Sequence, residues 1–575
     1  MDQNDLQTAI EHQRTGRRVE AEAICRGLLA QNPDDADALN LLGVISNQTG
    51  NPDAAMDFLT RAIQLQPEHT QAHNNLGTLL KRLGRIDEAI ESYRRAIHFS
   101  PDRAEPHYNL GNALKMKAQL DDAVDSYLRA IRINPGYAEA CNNLGLVLAE
   151  QGRLDDAIAA CRFAIQVKPD CADAYINLLY ACYHHPDYDS RRLLEETRQW
   201  ARRQSAGSPA HFPPRDPAPQ RRLKIGYLSP FFGSCADAHF IFPLLSHHDR
   251  NRFEIFCYTR ATRDDELTAR LRLHCDHWFD IRPLSAATAV ELIRGHNIDI
   301  LVNISRPADE CMAIAVARVA PVQITWLTFA SCTTGLESFD YRISDPHLDP
   351  PESPEQCFSE KTLHLPETAW CYDPLFDSPP VKPLPALASG HITFGSLNRF
   401  SKINPSVVAA WAEILRSVPN SRLHVLAIPG SHRQRLLTQF QNLGVDPARI
   451  EFIDRQSRLE YLKQYDRIDI TLDTFPFSGH TTALDSLWMG VPVVTLSGRT
   501  SVGRAASSVL HNLRLPALIA QTPGEYASIA VQLSQSPKNL SDLRAALRPR
   551  MQNSPLTNAS RFAFEMEKLY QQIRV

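Results

Sequence analysis

The chain has 575 residues, which at about 150 residues per domain predicts three to four domains rather than one compact core. Its composition, with 43% hydrophobic and 22% charged residues, is that of an ordinary globular protein and excludes a wholly disordered or fibrous chain. The 61 Lys and Arg residues against 65 Asp and Glu give a net charge of −4. The chain therefore lacks the excess of basic residues that is expected of a protein that binds nucleic acid.

The first third of the chain is an internal repeat. Pro33, Pro67, Pro101, Pro135 and Pro169 recur at one constant interval, and Leu-Gly pairs and alanines return in the same frame. This is the tetratricopeptide pattern, in which each repeat is a pair of antiparallel helices that a proline terminates. Residues 1–205 are therefore predicted to form an α solenoid, and its concave groove is suited to an extended polypeptide.

One position of the repeat carries a row of carboxamides. Asn75, Asn109, Asn143 and Asn177 all precede the glycine position by two residues on the first helix of their pairs. A stacked row of asparagines can pair with the main chain of any bound peptide, so these four are candidate acceptor-binding residues. The alternative is that they only bond between neighbouring repeats.

The pattern changes after a proline-rich connector predicted over residues 206–221. From residue 222 to 378, short segments predicted to be buried strands, at 222–229, 253–259, 299–305, 322–327 and 341–345, alternate with helical stretches. Such alternation predicts a doubly wound, Rossmann-like α/β lobe.

A second proline cluster, 379–390, precedes another alternating region over 391–555, with strands predicted at 392–397, 423–428, 450–454, 468–475 and 491–496. Residues 556–575 are amphipathic and are predicted to form a C-terminal helix. Two such lobes imply a ligand-binding cleft. Neither lobe has a GxGxxG after its first strand or a GxxxxGK[ST], which disfavours a dehydrogenase or a P-loop ATPase.

The segment from Asp473 to Pro492 contains the most residues that could bind a ligand or take part in a reaction. A strand ends near Phe475, and Thr481 or Thr482 is predicted to cap a helix that runs to about Met489. The free N–H groups at that helix start would bind a diphosphate, and Asp485 could accept hydrogen bonds from ribose. A capped helix is also common without any ligand.

Lys402 follows the first strand of the second lobe and precedes a helix predicted to begin near Pro405. A lysine at the carboxyl end of a strand can balance the charge of a leaving phosphate. By itself it would more often be an ordinary surface lysine.

Three segments together carry a family resemblance: RLKIGYLSPFF, ITFGSLNRFSKINP and DRIDITLDTFPFSGHTTALDSLWMGVPVVTLSG, all following the repeats. With this order and spacing the chain resembles the O-linked N-acetylglucosamine transferase family and its plant SPINDLY O-fucosyltransferase relatives over almost its whole length. The resemblance implies a two-lobed GT-B-type glycosyltransferase fold and inverting transfer from a nucleotide sugar to Ser or Thr hydroxyls. It also implies that no catalytic metal or other cofactor is needed, and that the C-terminal helix packs back on the first lobe.

The resemblance implies roles for individual residues. Lys402 matches the family's phosphate-contacting lysine, and it is the leading catalytic candidate. The other residues that match donor-binding positions are His480, Thr481 and Thr482 at the diphosphate, Asp485 at the ribose, Arg458 and Tyr461 beside the nucleoside, and Arg399. Arg458, Tyr461 and Arg399 stand where the animal enzymes have lysine, histidine and glutamine.

The first lobe departs from the family pattern. Cys235 stands where the family usually has a histidine proposed to assist catalysis, and His239, four residues later, is a candidate substitute. The segments 305–308 and 328–335 also differ from their usual forms. The identity of the catalytic base is therefore open.

The expected function is transfer of a sugar, with UDP-N-acetylglucosamine as the favoured donor, to protein acceptors held by the repeats. The alternatives are a SPINDLY-type enzyme that uses GDP-fucose and a catalytically degenerate repeat scaffold. Twelve cysteines without zinc-site spacing and a polar N-terminus predict a cytoplasmic protein with reduced thiols and no membrane partner. Whether the chain forms a homodimer is left open.

Overall fold

The computed structural model of the chain describes residues 2–204, 212, 221–306, 309–327, 332–351 and 355–574. They form two compact units. The first comprises the residues up to Leu148 with Ala159–Pro169 and Pro429–Ser431, and the second comprises Ala149–Ile158, Asp170–Ile428 and the chain from His432 onward. The connector predicted over 206–221 lies outside the described residues, apart from Phe212 and Arg221.

Among the residues that the structure describes, twelve helices precede the first strand and confirm the repeat prediction. They are α1 (Asp2–Arg14), α2 (Arg18–Gln31), α3 (Ala36–Gln48), α4 (Pro52–Leu65), α5 (Thr70–Arg82), α6 (Ile86–Phe99), α7 (Ala104–Met116), α8 (Leu120–Ile133), α9 (Ala138–Glu150), α10 (Leu154–Val167), α11 (Ala172–His184) and α12 (Ser190–Ala201). Helices α4, α6, α8 and α10 each end two residues before one of the recurring prolines, because proline cannot continue the hydrogen-bond ladder.

The recurring glycines let paired helices approach closely. A Cβ built on Gly77 of α5 would lie 2.6 Å from the Tyr93 ring of α6, and one on Gly111 of α7 would lie 2.7 Å from the Tyr127 ring of α8. Both tyrosines are fully buried. Glycine is thus required at these positions by contact between the helices rather than by backbone conformation.

The first lobe is built on a seven-stranded parallel sheet. Its strands are β1 (Leu223–Ser229), β2 (Phe253–Thr259), β3 (His277–Asp280), β4 (Ile300–Asn303), β5 (Val322–Thr325), β6 (Tyr341–Ser344) and β7 (Lys361–His364), in the order β3-β2-β1-β4-β5-β6-β7. Helices α13 (Ala238–Leu245), α14 (Glu266–Arg272), α15 (Ala286–Gly295) and α16 (Glu310–Val316) connect them. The chain first adds β2 and β3 on one side of β1 and then adds β4 on its other side. The direction in which strands are added therefore reverses between β1 and β4.

The second lobe repeats this plan with six parallel strands. They are β8 (Thr393–Ser396), β9 (Arg422–Leu426), β10 (Ile450–Ile453), β11 (Ile470–Leu472), β12 (Val493–Leu496) and β13 (Ile519–Ala520), in the order β10-β9-β8-β11-β12-β13. The helices are α17 (Ala386–Ser389), α18 (Pro405–Ser417), α19 (Ser431–Asn442), α20 (Arg458–Lys463), α21 (Thr481–Trp488), α22 (Ala505–Asn512), α23 (Pro523–Ser534) and α24 (Pro537–Gln552). The predicted two-lobed α/β architecture is confirmed.

The last helix, α25 (Ala559–Gln572), packs on the first lobe as predicted. Glu567 accepts hydrogen bonds from the Asp249 N–H and lies 2.9 Å from the His248 ring, and the Tyr570 and Tyr227 hydroxyls are 3.1 Å apart. The chain therefore returns to the first lobe after completing the second. No helix within the described ranges is long and apolar enough to cross a membrane.

Candidate active site

The two chemically distinctive segments leave the second sheet at its topological switch point. Strand β8 pairs with β9 on one side and with β11 on the other, so the connections after β8 and β11 run to opposite sides of the sheet. Lys402 follows β8, and the segment from Asp473 to Asp485 follows β11. Ligands of open parallel sheets bind beyond the carboxyl ends of strands at this point.

Lys402 lies at the start of α21, as the sequence led us to expect. It ends a single turn of 3₁₀ helix, Phe400–Lys402, and Asn404 then caps α18 by accepting from the N–H groups of Ser406 and Val407. The Lys402 Nζ donates to the Ser478 carbonyl at 2.8 Å and lies 4.3 Å from the centre of the Phe477 ring. The lysine is thus held against the turn that precedes α21.

Asn398 links the two segments. Its Oδ1 accepts from the Thr482 hydroxyl at 2.8 Å and lies 3.4 Å from the Lys402 Nζ. Its amide lies 3.4 Å from Asp473, which also accepts from the Gly479 N–H. The sequence analysis did not single out Asn398, although its position four residues before Lys402 and directly after a central strand is the available signal.

Burial lowers the pKa of Lys402 to about 8, and nearby Arg399 acts in the same direction while the carboxyl of Asp473 opposes it. The ammonium is therefore largely charged at neutral pH. Since it is only partly hydrated, its field on a nearby anion is stronger than that of a surface lysine.

The N-cap of α21 is His480 rather than Thr481 or Thr482, so the predicted cap was wrong by one or two residues. No side chain caps the helix there, because the preceding turn places the His480 ring elsewhere. The His480 carbonyl accepts from Ala483 and Leu484. In the described part of the chain, the N–H groups of His480, Thr481 and Thr482 have no partner, which leaves donors for an anion.

The His480 ring joins the two lobes. It stacks on Phe240 of α13 with ring centres 4.3 Å apart and planes at 6°, and its centre is 4.1 Å from that of Trp370. Burial lowers the pKa of His480 to about 3, with Lys402 acting in the same direction, so the ring is neutral. Its Nε2 atom is buried without a protein partner among the described residues.

Asp485, on the second turn of α21, accepts both terminal nitrogens of Arg458 at 2.6 and 2.5 Å. The Tyr372 hydroxyl donates to the same carboxylate at 2.7 Å. Asp485 is 1% exposed. The two predicted site residues Asp485 and Arg458 are thus in contact. Tyr372 belongs to the same hydrogen-bonded group, although the sequence did not reveal it.

The remaining donor-side candidates lie nearby. The Tyr461 ring centre is 5.5 Å from the Arg458 guanidinium, and its hydroxyl is 2.9 Å from that of Tyr465. Arg399, three residues before Lys402, is a charged neighbour of Tyr180 on α11.

His239 reaches the same region from the first lobe. Its Nδ1 is 2.6 Å from the Asp373 carbonyl, and its ring stacks on Tyr372 at 5.4 Å. Because a carbonyl only accepts, Nδ1 carries the proton and Nε2 keeps its lone pair. Burial lowers the pKa of His239, which keeps the imidazole neutral.

Cys235, at the usual histidine position, is a poor base. Its thiol lies 3.4 Å from the Phe231 carbonyl, and burial raises its pKa to about 12. Of the other two unusual segments, residues 307–308 and 328–331 lie outside the described residues. Thr333 and Thr334 are buried and donate hydrogen bonds to Glu360.

Three of the four predicted asparagines bond between neighbouring repeats, as the alternative interpretation expected. Their amide nitrogens donate to acceptors one repeat earlier: Asn75 to Asn40 at 2.8 Å, Asn109 to Asn74 at 2.9 Å, and Asn143 to Asn112 at 2.8 Å. Asn177 lies on α11. All four are half-buried. Within the described residues, the Oδ1 atoms of Asn75 and Asn109 accept no hydrogen bond.

The chain is similar to a known protein family, to curated proteins and to solved structures. The family model described as glycosyl transferase family 41 matches residues 205–375 and 383–566. The chain belongs to glycosyl transferase family 41. Tetratricopeptide repeat models match residues 13–79, 77–152 and 138–171 of this family 41 member.

Similar proteins include two plant relatives named "Probable UDP-N-acetylglucosamine--peptide N-acetylglucosaminyltransferase SPINDLY". The one from Solanum lycopersicum is 36% identical over 389 residues, which cover 66% of this chain and 42% of the relative. The one from Petunia hybrida is 37% identical over 361 residues, which cover 61% and 38%. The chain spans about two fifths of the length of these relatives.

A solved structure extends the likeness to nearly the whole chain. A lysine-to-methionine mutant of the Thermobaculum terrenum O-GlcNAc transferase is 32% identical, with a TM-score of 0.73. The match covers 93% of this chain and 96% of that one. The order of repeats and two lobes is therefore shared with that transferase.

Proposed function

We propose that this family 41 member is an inverting glycosyltransferase that moves N-acetylglucosamine from UDP-N-acetylglucosamine to Ser or Thr hydroxyls of proteins. The observation that carries the proposal is the placement of the Lys402 ammonium beside the uncapped start of α21. The names of the plant relatives and of the bacterial structure support this donor and a protein acceptor.

The chemistry we infer is departure of a diphosphate. The acceptor oxygen bonds to the sugar C1 while the bond from C1 to the diphosphate oxygen breaks and its electrons leave with UDP. Lys402 and the N–H groups of His480, Thr481 and Thr482 would stabilise the charge that develops on that oxygen. Removing one such group typically costs 10²–10³-fold in rate. These groups can take up the charge, so we propose that transfer needs no metal or other cofactor.

The nucleoside would bind at the far side of the same helix start. Asp485, with Arg458 and Tyr461 beside it, is placed about one helical turn from the diphosphate donors. Its carboxylate can accept one ribose hydroxyl at Oδ2, because that oxygen has two lone pairs and accepts from one Arg458 nitrogen. Arg399, which is close enough to Lys402 to lower its pKa, is the remaining donor-side candidate.

We propose that His239 is the general base that accepts the proton of the acceptor hydroxyl. Its neutral imidazole has an unprotonated Nε2, whereas the Cys235 thiol does not ionise near neutral pH. General bases typically contribute 10²–10⁴-fold. Replacement of His239 by Phe keeps an aromatic ring on Tyr372, and we expect it to lower transfer within this range while UDP binding is retained.

Protein acceptors would lie along the repeat groove, with the free Oδ1 atoms of Asn75 and Asn109 accepting from the peptide main chain, and Asn143 and Asn177 extending the row. The shared inter-repeat bonds would orient these carboxamides. We place the reaction in the cytoplasm, since no membrane or nucleic-acid partner is required.

The decisive experiment is transfer by the full chain to lysate proteins with UDP-N-acetylglucosamine, UDP-glucose or GDP-fucose. Lys402→Met should lower transfer at least 10²-fold with an unchanged unfolding midpoint. Lys463→Met is the matched control, because Lys463 pairs with Glu460 on the exposed face of α20. Preference for GDP-fucose would identify a fucosyltransferase instead. Absence of both transfer and nucleotide binding would leave only a scaffold and overturn the proposal.

A further inference from the structure

Helix α11 carries a row of side chains at helical spacing. Asn177, Tyr180 and His184 stand at positions i, i+3 and i+7, which places them on one face of the helix. Asn177 is the last of the four repeat asparagines. The other two contact the segments that hold Lys402.

Tyr180 and His184 each touch one of these segments. The Tyr180 hydroxyl is 2.9 Å from the hydroxyl of Ser401, the residue before Lys402. The His184 ring stacks on Phe477 with centres 4.4 Å apart and planes at 16°. Since Lys402 also contacts the Phe477 ring, at 4.3 Å, the last repeat helix supports the lysine through one aromatic ring.

The His184 ring is fixed in place. It is 1% exposed, and its Nδ1–H donates to the Tyr180 carbonyl at 2.6 Å. A fixed ring under Phe477 restricts the rotation of that side chain and keeps water from the ammonium. The effect of His184 on the lysine is therefore steric, through the packing of the Phe477 ring.

We propose that His184 is a positioning residue for Lys402, acting through Phe477 to hold the ammonium at the diphosphate site. The role assigned to Lys402 rests on the proposed function, but the placement of the lysine does not. Helix α11, which bears Asn177, thereby supports the catalytic lysine, so that α11 cannot be removed from the transferase lobes without loss of rate.

Several charged or titratable groups face Lys402. Asp473 favours the charged form, while Arg399 disfavours it. The rings of His184 and His480 are neutral, because burial lowers the pKa of each to about 3. His184 therefore acts on the lysine through exclusion of water rather than through its own charge.

Removal of the ring should have two effects. His184→Ala opens a water-accessible gap beneath Phe477, so the pKa of Lys402 should rise from about 8 toward its ordinary value. The alkaline limb of kcat/KM should move to higher pH accordingly. The looser lysine should also lower kcat about 10- to 100-fold, with a smaller change in KM for the donor.

Two variants separate positioning from a general loss of stability. His184→Phe keeps the aromatic stack and should retain both the wild-type rate and the alkaline limb. His185→Ala is the neighbouring control, because His185 contacts Asp155 and Tyr188 instead of Phe477. It should leave both quantities unchanged.

The titration of Lys402 can be measured without any transfer reaction. The full-length variants are labelled with acetic anhydride over a pH series, and the Lys402 peptide is quantified by mass spectrometry. A labelling midpoint near pH 8 in the wild type and His184→Phe, and a higher one in His184→Ala, supports the inference even if no sugar is transferred. An unchanged midpoint in folded His184→Ala overturns it, whether or not the wild type is a transferase.

Discussion

The pair formed by Asp485 and Arg458 gives the most direct test of the site. Asp485→Asn removes a nearly buried carboxylate that accepts two bonds from Arg458 and one from Tyr372. Breaking a buried ion pair typically costs about 3–5 kcal/mol because the remaining charge is uncompensated. The Arg458 side chain is 31% exposed and can regain some hydration, so we expect about 2–3 kcal/mol.

Urea unfolding of wild type, Asp485→Asn, Arg458→Met and the double variant measures this cost. The double variant should lose less than the sum of the single ones, because it leaves no unpaired charge. Asp454→Asn is a control, since Asp454 pairs with Arg433 but is 62% exposed, and its effect should stay within about 1 kcal/mol.

Calorimetric titration with UDP completes the assay. If Asp485 binds ribose, Asp485→Asn should weaken UDP binding about tenfold, which corresponds to about 1.4 kcal/mol. A folded Asp485→Asn protein with wild-type stability would refute the energetic argument. Wild-type UDP affinity in that protein would refute the assignment of Asp485 to the nucleoside.

Three further changes test other parts of the molecule. Gly77→Ala should destabilise by about 1–3 kcal/mol in urea unfolding through its clash with Tyr93, whereas Gly27→Ala, with open space around it on an exposed helix, should stabilise by about 0.5–1 kcal/mol. Asn109→Ala should lower kcat/KM for protein acceptors about 2- to 10-fold without changing donor hydrolysis; equal losses would exclude a role in acceptor binding. Because the pKa of His184 is lowered to about 3, its contribution is complete above pH 6.5 and is lost as the pH falls, by about 2 kcal/mol at pH 5. His184→Phe should therefore lose less stability between pH 7 and pH 5, and an equal loss would contradict burial of a neutral ring.

The repeats and the central strands could be predicted because the sequence patterns that indicate them are local. A proline at a constant interval ends each second helix, and runs such as 253–259 and 322–327 are mostly apolar because parallel strands are covered on both faces. The strands β3, β7 and β13 were not predicted. They lie at or near sheet edges, where one face or end is exposed and the apolar signal is weak.

The site was predicted in part. Lys402 and the start of α21 were identified by motif and were found together, but Asn398, Tyr372, Phe477 and His184 were not. Each of these acts through a contact distant in sequence, and a single carboxamide or aromatic residue has no recognisable local pattern.

The sequence by itself determined the repeat architecture, the two α/β lobes and membership in family 41. Helix termination, strand burial and motif spacing depend on residues that are close together in the sequence. Only the tertiary structure decided that His480, instead of a threonine, is the N-cap of α21, that Arg458 and Tyr372 bind Asp485, and that a repeat helix supports Lys402. Such contacts depend on which side chains meet when the lobes and α11 pack, and that choice is made by the whole fold.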